Sequence, residues 1–368
     1  MIDRRKLLGA ATLGAAGLAA AACSDSASDG PAAPAVQRRK TRLTLTTAWP
    51  KDMPGLGIAA QRIATRIGEL SEGQMEVQVY ASGELVPAFE AFDAVASGNV
   101  DMYHAAESYW QSKSKAYNFF TAVPMGMTSA EIMGWIDFGG GQKLWEELAG
   151  QNGIIAFQAG NTGHQMGGWF RTEINSVDDF RGLKMRIPGM GGDVVRALGG
   201  AAEALPGNEV YQALQTGRID ATEWAGPWND YFLGFHREAK YYYGPGFHEP
   251  GAAVALGINR SKWESLDATQ QAIVRTACAE VNHLSVGEFT YQNAVYLDKL
   301  INEEDIELRT FPEDVMAVVK DISNQVRSDV GAQGGLEARI YESFEDALKK
   351  SRALARMGDR PYMNAREL

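Results

Sequence analysis

Hydrophobic and polar residues alternate in TRLTLTTAW (residues 41–49), where Leu43, Leu45 and Thr47 share one face. Strict alternation marks a half-buried strand, because successive side chains point to opposite sides of a sheet. In IAAQRIATRIGELSEG the period lengthens, so that Ile63, Ile67 and Leu70 fall on one helical face ahead of a stop at Gly73. Alternation returns in QMEVQVY at Met75, Val77 and Val79. Strand, helix and strand at this spacing describe a βαβ unit, which predicts an α/β fold with parallel strands.

A second pattern occurs twice. FEAFDAVASGNVDMYH reads as a helix carrying Phe89, Phe92 and Val95, a stop at Gly98 and a strand beginning at Val100-Asp101. EVYQALQTGRIDATEW repeats the order with Val210 and Leu214, Gly217, then Ile219-Asp220. Two α/β lobes of similar plan would explain the recurrence, although a glycine ending a helix before a strand is common and does not establish duplication. From about Ser261 the pattern turns mainly helical, as in FEDALKKSRALARMGD, which fits helices that brace two lobes.

A chain of 368 residues agrees with roughly two folding units. Its formal net charge of -11, with no basic stripe, argues against a nucleic-acid partner. The start, MIDRRKLLGAATLGAAGLAAAACSDS, has the basic head, short apolar stretch and small residues of an export signal (residues 1–23). Arg4 and Arg5 give it a twin-arginine character, and Cys23 ends a sequence similar to a lipoprotein cleavage box. Cleavage after an alanine, with Cys23 discarded, is the alternative. Residues 24–40 then read as a flexible tether. Without Cys23, Cys278 has no partner for a disulfide, and its helical spacing with Ile273 and Val274 makes it a core residue. No later segment approaches the apolar length of a membrane span, so the expectation is an exported, periplasmic protein.

Catalytic motifs are scarce: the sequence has no G-x-S-x-G, no H-E-x-x-H and no C-x-x-C, and its five histidines are scattered. RIPGMGGDVVRALGG lacks the dinucleotide-binding order, since Val194 stands where a third glycine is needed. It reads as a tight turn before a helix whose free N–H groups face a cleft and can help hold a small anion. Polar residues do stand in glycine- and aromatic-rich loops. They are Gln165 in NTGHQMGGWFR, Arg186 in GLKMRIPG, Glu223 and Trp224 in ATEWAGPW, and Glu249 in YYYGPGFHEPG. Arg186 ends a strand, where α/β sheets present ligand contacts, and its planar fork matches a carboxylate. Two glutamates, an amide oxygen and a backbone carbonyl make a hard-cation site for Ca2+ or Na+. The plainer readings are an Arg186 bridge to a local carboxylate, solvated Glu223 and Glu249, and Trp224 and Trp228 as core residues.

MGGWFR, DDFRGLKMRIPG, YQALQTGRIDATEWAGPWND and YYYGPGFHEPG together resemble the DctP-like solute-binding proteins of tripartite ATP-independent periplasmic (TRAP) transporters. The likeness is closest to the branch that binds 2-oxo acids such as pyruvate and 2-hydroxy acids such as lactate, and runs from about residue 43 to the C-terminal helices. It implies a two-lobed α/β solute-binding protein, not an enzyme, with the ligand cleft between the lobes. Residues 41–162 plus about 250–285 would form lobe I and 163–249 lobe II, with 286–368 as bracing helices. By the same resemblance Arg186 clamps the ligand carboxylate, and Gln165, Glu223 and Glu249 contact the ligand. Gln165, Glu223, Glu249 and the Trp224 carbonyl would hold the cation. Closure of the lobes would present the ligand to a membrane permease, and the C-terminal helix would support a homodimer or pack within its own chain. The sequence departs from the branch at His248, where an aromatic is common, which puts ligand size or polarity in question. Family members are also associated with mannitol and chloroaromatic acids, so the substrate stays open. Two other functions remain open: an exported hydrolase using Glu223 and Glu249 as an acid/base pair, and a receptor that hands its ligand to a sensor.

Overall fold

The computed structural model describes residues 40–368; the export signal, Cys23 and the tether before Lys40 lie outside the described residues. The strands are β1 (Thr41–Thr47), β2 (Met75–Tyr80), β3 (Met102–Ala105), β4 (Ile154–Asn161), β5 (Gly168–Phe170), β6 (Lys184–Arg186), β7 (Ala201–Glu203), β8 (Ala221–Thr222), β9 (Tyr241–Gly244), β10 (Ala253–Asn259) and β11 (Glu307–Thr310). They form two sheets, ordered β2-β1-β3-β10-β4 and β11-β9-β5-β8-β6-β7. Each sheet with its helices is one lobe.

The opening βαβ unit is present. β1 and β2 pair in parallel around the helix Leu56–Leu70, whose Ile63 and Ile67 are fully buried while Leu70 is only half-buried. β3 adds to the other side of β1, again parallel. The expectation of parallel strands fails where the chain changes lobe. β10 runs antiparallel to β3 and β4, and β5 runs antiparallel to β8 and β9. These strands enter their sheets directly from the other lobe, through residues 162–167 and 245–252, so no helical crossover turns the chain back to the parallel direction.

The two crossings lie side by side. Gly167 N–H donates to the Tyr243 carbonyl (2.7 Å), Gly246 N–H to the Gln165 carbonyl (2.9 Å) and Thr162 N–H to the Ala252 carbonyl (3.0 Å). A Cβ on Gly246 would stand 2.5 Å from the Gln165 carbonyl oxygen, so the close approach requires glycine there.

The repeated helix–glycine–strand pattern appears once in each lobe. The helix Ala91–Ala96 ends before Gly98 (φ 78°) and leads to β3, and the helix Gly207–Gln215 ends before Gly217 (φ 73°) and leads to β8. Both strands start after the Asp of the pattern rather than at the hydrophobic residue before it.

The C-terminal third is mainly helical, led by Ala268–Glu303, which packs against β4 in the first lobe and the helix Pro227–Leu233 in the second. β11 was not visible in the sequence pattern. Its segment ELRT is short and largely polar, and it sits at the sheet edge beside β9. Cys278 is buried in the first lobe's core, where burial pushes its thiol up to about 12. Among the described residues no helix is long and apolar enough to cross a membrane.

Candidate functional site

Arg186 is the last residue of β6 and pairs in register with Thr222 at the end of β8. The next residue of β8's path, Glu223, therefore lies beside it, and Glu223 N–H donates to the Arg186 carbonyl at 3.3 Å. Arg186 Nη1 donates to Glu223 Oε1 (2.6 Å) and to the Glu223 carbonyl (2.8 Å), while Nε donates to the Leu205 carbonyl (3.2 Å). The guanidinium carbon stands 4.5 Å from the centroid of the Trp224 ring. Both ionic side chains are about 2 % exposed, so the pair is desolvated and held by many contacts at once. One nitrogen, Nη2, is buried without a partner.

The plainer reading that Arg186 bridges to a local carboxylate is realised, and the carboxylate is Glu223 itself. The other oxygen of Glu223, Oε2, lies 3.0 Å from His248 Nε2. His248 is thus buried behind Glu223 and is not among the cavity-lining residues, so it acts on the site through the carboxylate. Burial alone would lower its imidazole, but the charge and hydrogen bond of Glu223, then Glu249, outweigh that and hold it above the usual histidine value.

Gln165 and Glu249 come from the two crossings. Gln165 Nε2 donates to Glu249 Oε2 (2.7 Å) and to Thr162 Oγ1 (3.0 Å), leaving its buried carbonyl oxygen Oε1 without a partner. Burial raises the Glu249 carboxyl, and the charge of Glu223 adds to this, outweighing His248, Arg186 and Gln165. The pocket sets two carboxylates, Glu223 and Glu249, against the one guanidinium of Arg186.

Gln165, Arg186, Glu223, Trp224 and Glu249 all line one cavity of about 360 Å3. Trp49, Leu56, Ala106 and Tyr109 close it from the first lobe, and Thr162 from a crossing. Sequence reasoning missed Trp49 and Tyr109. Both follow the ends of strands, β1 and β3, and that position was the available signal. Trp49 packs edge-on to Trp224 across the cleft, and its indole N–H donates to His104 Nδ1 at 2.8 Å.

None of the glycine-rich start of the helix Gly189–Ala197 lines this cavity, and one of its amides is already engaged. Met190 N–H donates to Asn118 Oδ1 of the other lobe at 3.0 Å. A Cβ on Gly189 would lie 2.6 Å from that oxygen.

Among the described residues no group of three or more His, Cys, Asp and Glu is arranged to hold a metal. The oxygen-bearing side chains gathered here are of another composition: two carboxylates and one amide, with Trp224 beside them. Those oxygens are hard, and the unpartnered Gln165 Oε1 together with the raised Glu249 carboxyl fits a Ca2+ or Na+ ion.

Residues 46–333 match the family model for bacterial extracellular solute-binding protein, family 7. The chain is 36% identical over 323 residues to a monocarboxylate 2-oxoacid-binding periplasmic protein of Nostoc, covering 88% of each chain. It is 37% identical to a TRAP periplasmic solute-binding protein of Pseudoalteromonas atlantica solved with bound sodium and pyruvate (TM-score 0.86; 88% of this chain, 99% of that one). A counterpart from Colwellia psychrerythraea, solved with calcium and pyruvate, is 36% identical (TM-score 0.86; 89% and 99%). Another, a dimer from Bordetella bronchiseptica with calcium and picolinate at its bound site, is 33% identical (TM-score 0.86; 89% and 97%).

Proposed function

The chain belongs to the family 7 bacterial extracellular solute-binding proteins, the receptor components of TRAP transporters, and from that premise we propose that it captures a small 2-oxo or 2-hydroxy monocarboxylate together with Ca2+ or Na+. The observation that carries this reading is a buried guanidinium with one unpaired nitrogen, Arg186 Nη2, lining the same cavity as an unpaired amide oxygen, Gln165 Oε1.

Arg186 receives the ligand carboxylate on its free nitrogen, while Glu223 holds the guanidinium in place through Nη1. Gln165, Glu223, Glu249 and the Trp224 carbonyl hold the cation. When bound, the cation supplies positive charge that a 2-oxo or 2-hydroxy oxygen can share with the carboxylate. A monocarboxylate lacking that second oxygen loses the contact, which gives the site its discrimination. Trp49, Tyr109 and Trp224 exclude water and so strengthen every charge interaction inside.

Capture is coupled to closure. The lobes touch through Asn118 and Met190, through Lys115 Nζ and Asp193 Oδ2 (2.8 Å), and through Asn229 Nδ2 and the Pro54 carbonyl (3.0 Å). Such contacts form only when the lobes meet, and ligand bound between them shifts the population toward that state. The hinge reading assigns 41–162 and about 250–285 to one lobe and 163–249 to the other, with 286–368 bracing both and returning β11 to the second sheet. The closed face is then recognised by the membrane permease. Exposed Leu354, Met357, Tyr362 and Met363 on the last helices suit a homodimer contact. The relatives that the chain matches are solute-binding proteins, which disfavours the hydrolase reading.

Isothermal titration with Tris-neutralised pyruvic acid tests the proposal, on protein treated with EDTA and dialysed into sodium-free buffer, and again with CaCl2 or NaCl restored. Binding that requires the cation supports it. Absence of binding to pyruvate, lactate and other small monocarboxylates with both cations present overturns it.

A further inference from the structure

A backbone carbonyl can serve a cation only if its peptide plane is held in one orientation, and the structure contains a device that holds the peptide after Trp224. Asp230, on the helix Pro227–Leu233, is about 1 % exposed. Its Oδ1 accepts from Ala225 N–H (3.3 Å) and Gly226 N–H (3.2 Å). Its Oδ2 accepts from Trp169 Nε1 (3.0 Å) and from the Tyr242 hydroxyl (2.8 Å). Trp169 and Tyr242 are themselves stacked, with ring centroids 4.0 Å apart. Four donors therefore fix one buried carboxylate; burial works against its charge and pushes it up to about 7.

We infer that Asp230 is a positioning residue for the cation site, acting by orienting the Trp224 carbonyl. The inference rests on the proposed function. In a trans peptide the N–H and C=O point in opposite directions, so an Ala225 N–H turned toward Asp230 turns the Trp224 carbonyl away from it. Trp224 and Ala225 both line the cavity, and no hydrogen bond to the Trp224 carbonyl is found among the described residues. The following turn locks the arrangement: Gly226 has φ 105°, and a Cβ there would stand 3.1 Å from the Asn293 amide. Asp230 thus connects the aromatic pair on β5 and β9 to an atom at the cleft without itself lining the cleft.

Calcium titration calorimetry on Asp230→Asn and wild type tests this, with pyruvate affinity then measured at saturating CaCl2. Loss of an orienting partner behind a ligand typically weakens metal affinity by about 10- to 100-fold. Asp230→Asn is expected to fall in that range for Ca2+, while pyruvate affinity at saturating CaCl2 changes by less than about threefold, since Arg186 is untouched. Val274→Ala, in the core of the first lobe, is the control for general destabilisation: its melting temperature drops but its Ca2+ affinity stays. Wild-type Ca2+ affinity in Asp230→Asn overturns the inference alone, as does an equal loss in Val274→Ala. A wild-type protein that binds neither Ca2+ nor Na+ overturns the cation site and this inference with it. Should Asp230→Asn not fold, Tyr242→Phe removes one donor to Oδ2 and is expected to weaken Ca2+ binding about threefold; no change there also overturns the inference.

Discussion

The two walls of the cleft are built by the same backbone device and do opposite chemistry. In each lobe a helix ends at a left-handed glycine and a strand then runs to the cleft, β3 in the first and β8 in the second. On the last residues of β3 and just beyond it the polar groups are kept neutral. His104 accepts from Trp49 and donates to the Ala159 carbonyl, and burial pushes its imidazole down to about 4. Glu107 sits among Tyr103 and other aromatics, and burial pushes its carboxyl up to about 8. Beyond β8 stands an ion pair: Glu223 is clamped between Arg186 and His248. The device decides where a residue arrives, and the residue after the strand decides the chemistry. One wall supplies charge, and the other supplies a dry surface that makes the charge effective.

The strongest way to break this comparison is to remove the charge from the second wall. Arg186→Ala leaves Glu223 buried without its cation partner, a change that costs about 3–5 kcal/mol. Thermal unfolding should show that loss, and calorimetry should show no pyruvate binding; retained binding would mean that the charged wall is not the ligand's anchor.

The neutral wall is probed by pH. His104 has a folded value of about 4 against a usual 6.5, so its contribution is present above 6.5 and lost as pH falls toward 4. Glu107 has a folded value of about 8 against a usual 4.5, so its contribution is present below 4.5 and lost as pH rises through 8. Asp230, raised to about 7, adds to the alkaline side. Each full loss is on the order of 3 kcal/mol. In denaturant unfolding from pH 4 to 9 the His104 gain should therefore offset only one of the two carboxyl losses up to pH 6.5. Stability should decline more steeply just above 6.5 and level off past 8, and Glu107→Gln should flatten the decline above 6.5. An unchanged decline there in that variant would show that the first wall is not neutral by design of its burial.

Contact between the walls is tested by Asn118→Ala, which removes the cross-lobe hydrogen bond to Met190. A net loss of about 1 kcal/mol predicts roughly fivefold faster pyruvate release in stopped-flow tryptophan fluorescence, with little change in melting temperature. The smallest and most symmetric effect belongs to the shared device. Gly98→Ala and Gly217→Ala each place a side chain at positive φ with no close neighbour, and each should cost about 1 kcal/mol by thermal unfolding. Cleft affinity should stay unchanged in both; unequal costs would deny that the two lobes use one device.

The βαβ start and the helix–glycine–strand pattern were legible because both are local, written in periodicity and a single glycine. The antiparallel strands β5 and β10 were not, since their direction follows from the lobe the chain has just left. β11 escaped because an exposed edge strand with Leu308 as its one large apolar residue carries almost no alternation. At the site, Arg186, Gln165, Glu223, Trp224 and Glu249 stood out as polar groups in glycine- and aromatic-rich loops, and they share one cavity. Trp49 and Tyr109 did not, because they reach that cavity from the opposite lobe, a relation no local pattern records. His248 was visible as a departure, but its place behind Glu223 depends on the approach of the 245–252 crossing to β8.

Gln165 and Glu249 lie in the two crossing segments about which the lobes would turn. In a lever, points near the fulcrum travel least and points at the tips travel most. A ligand gripped at the fulcrum needs only a small displacement of its oxygen donors to swing distant surfaces through a much longer arc. On the proposed hinge, the position of these two side chains would make the cleft a mechanical amplifier, with its input at the pivot and its output at the rims of both lobes.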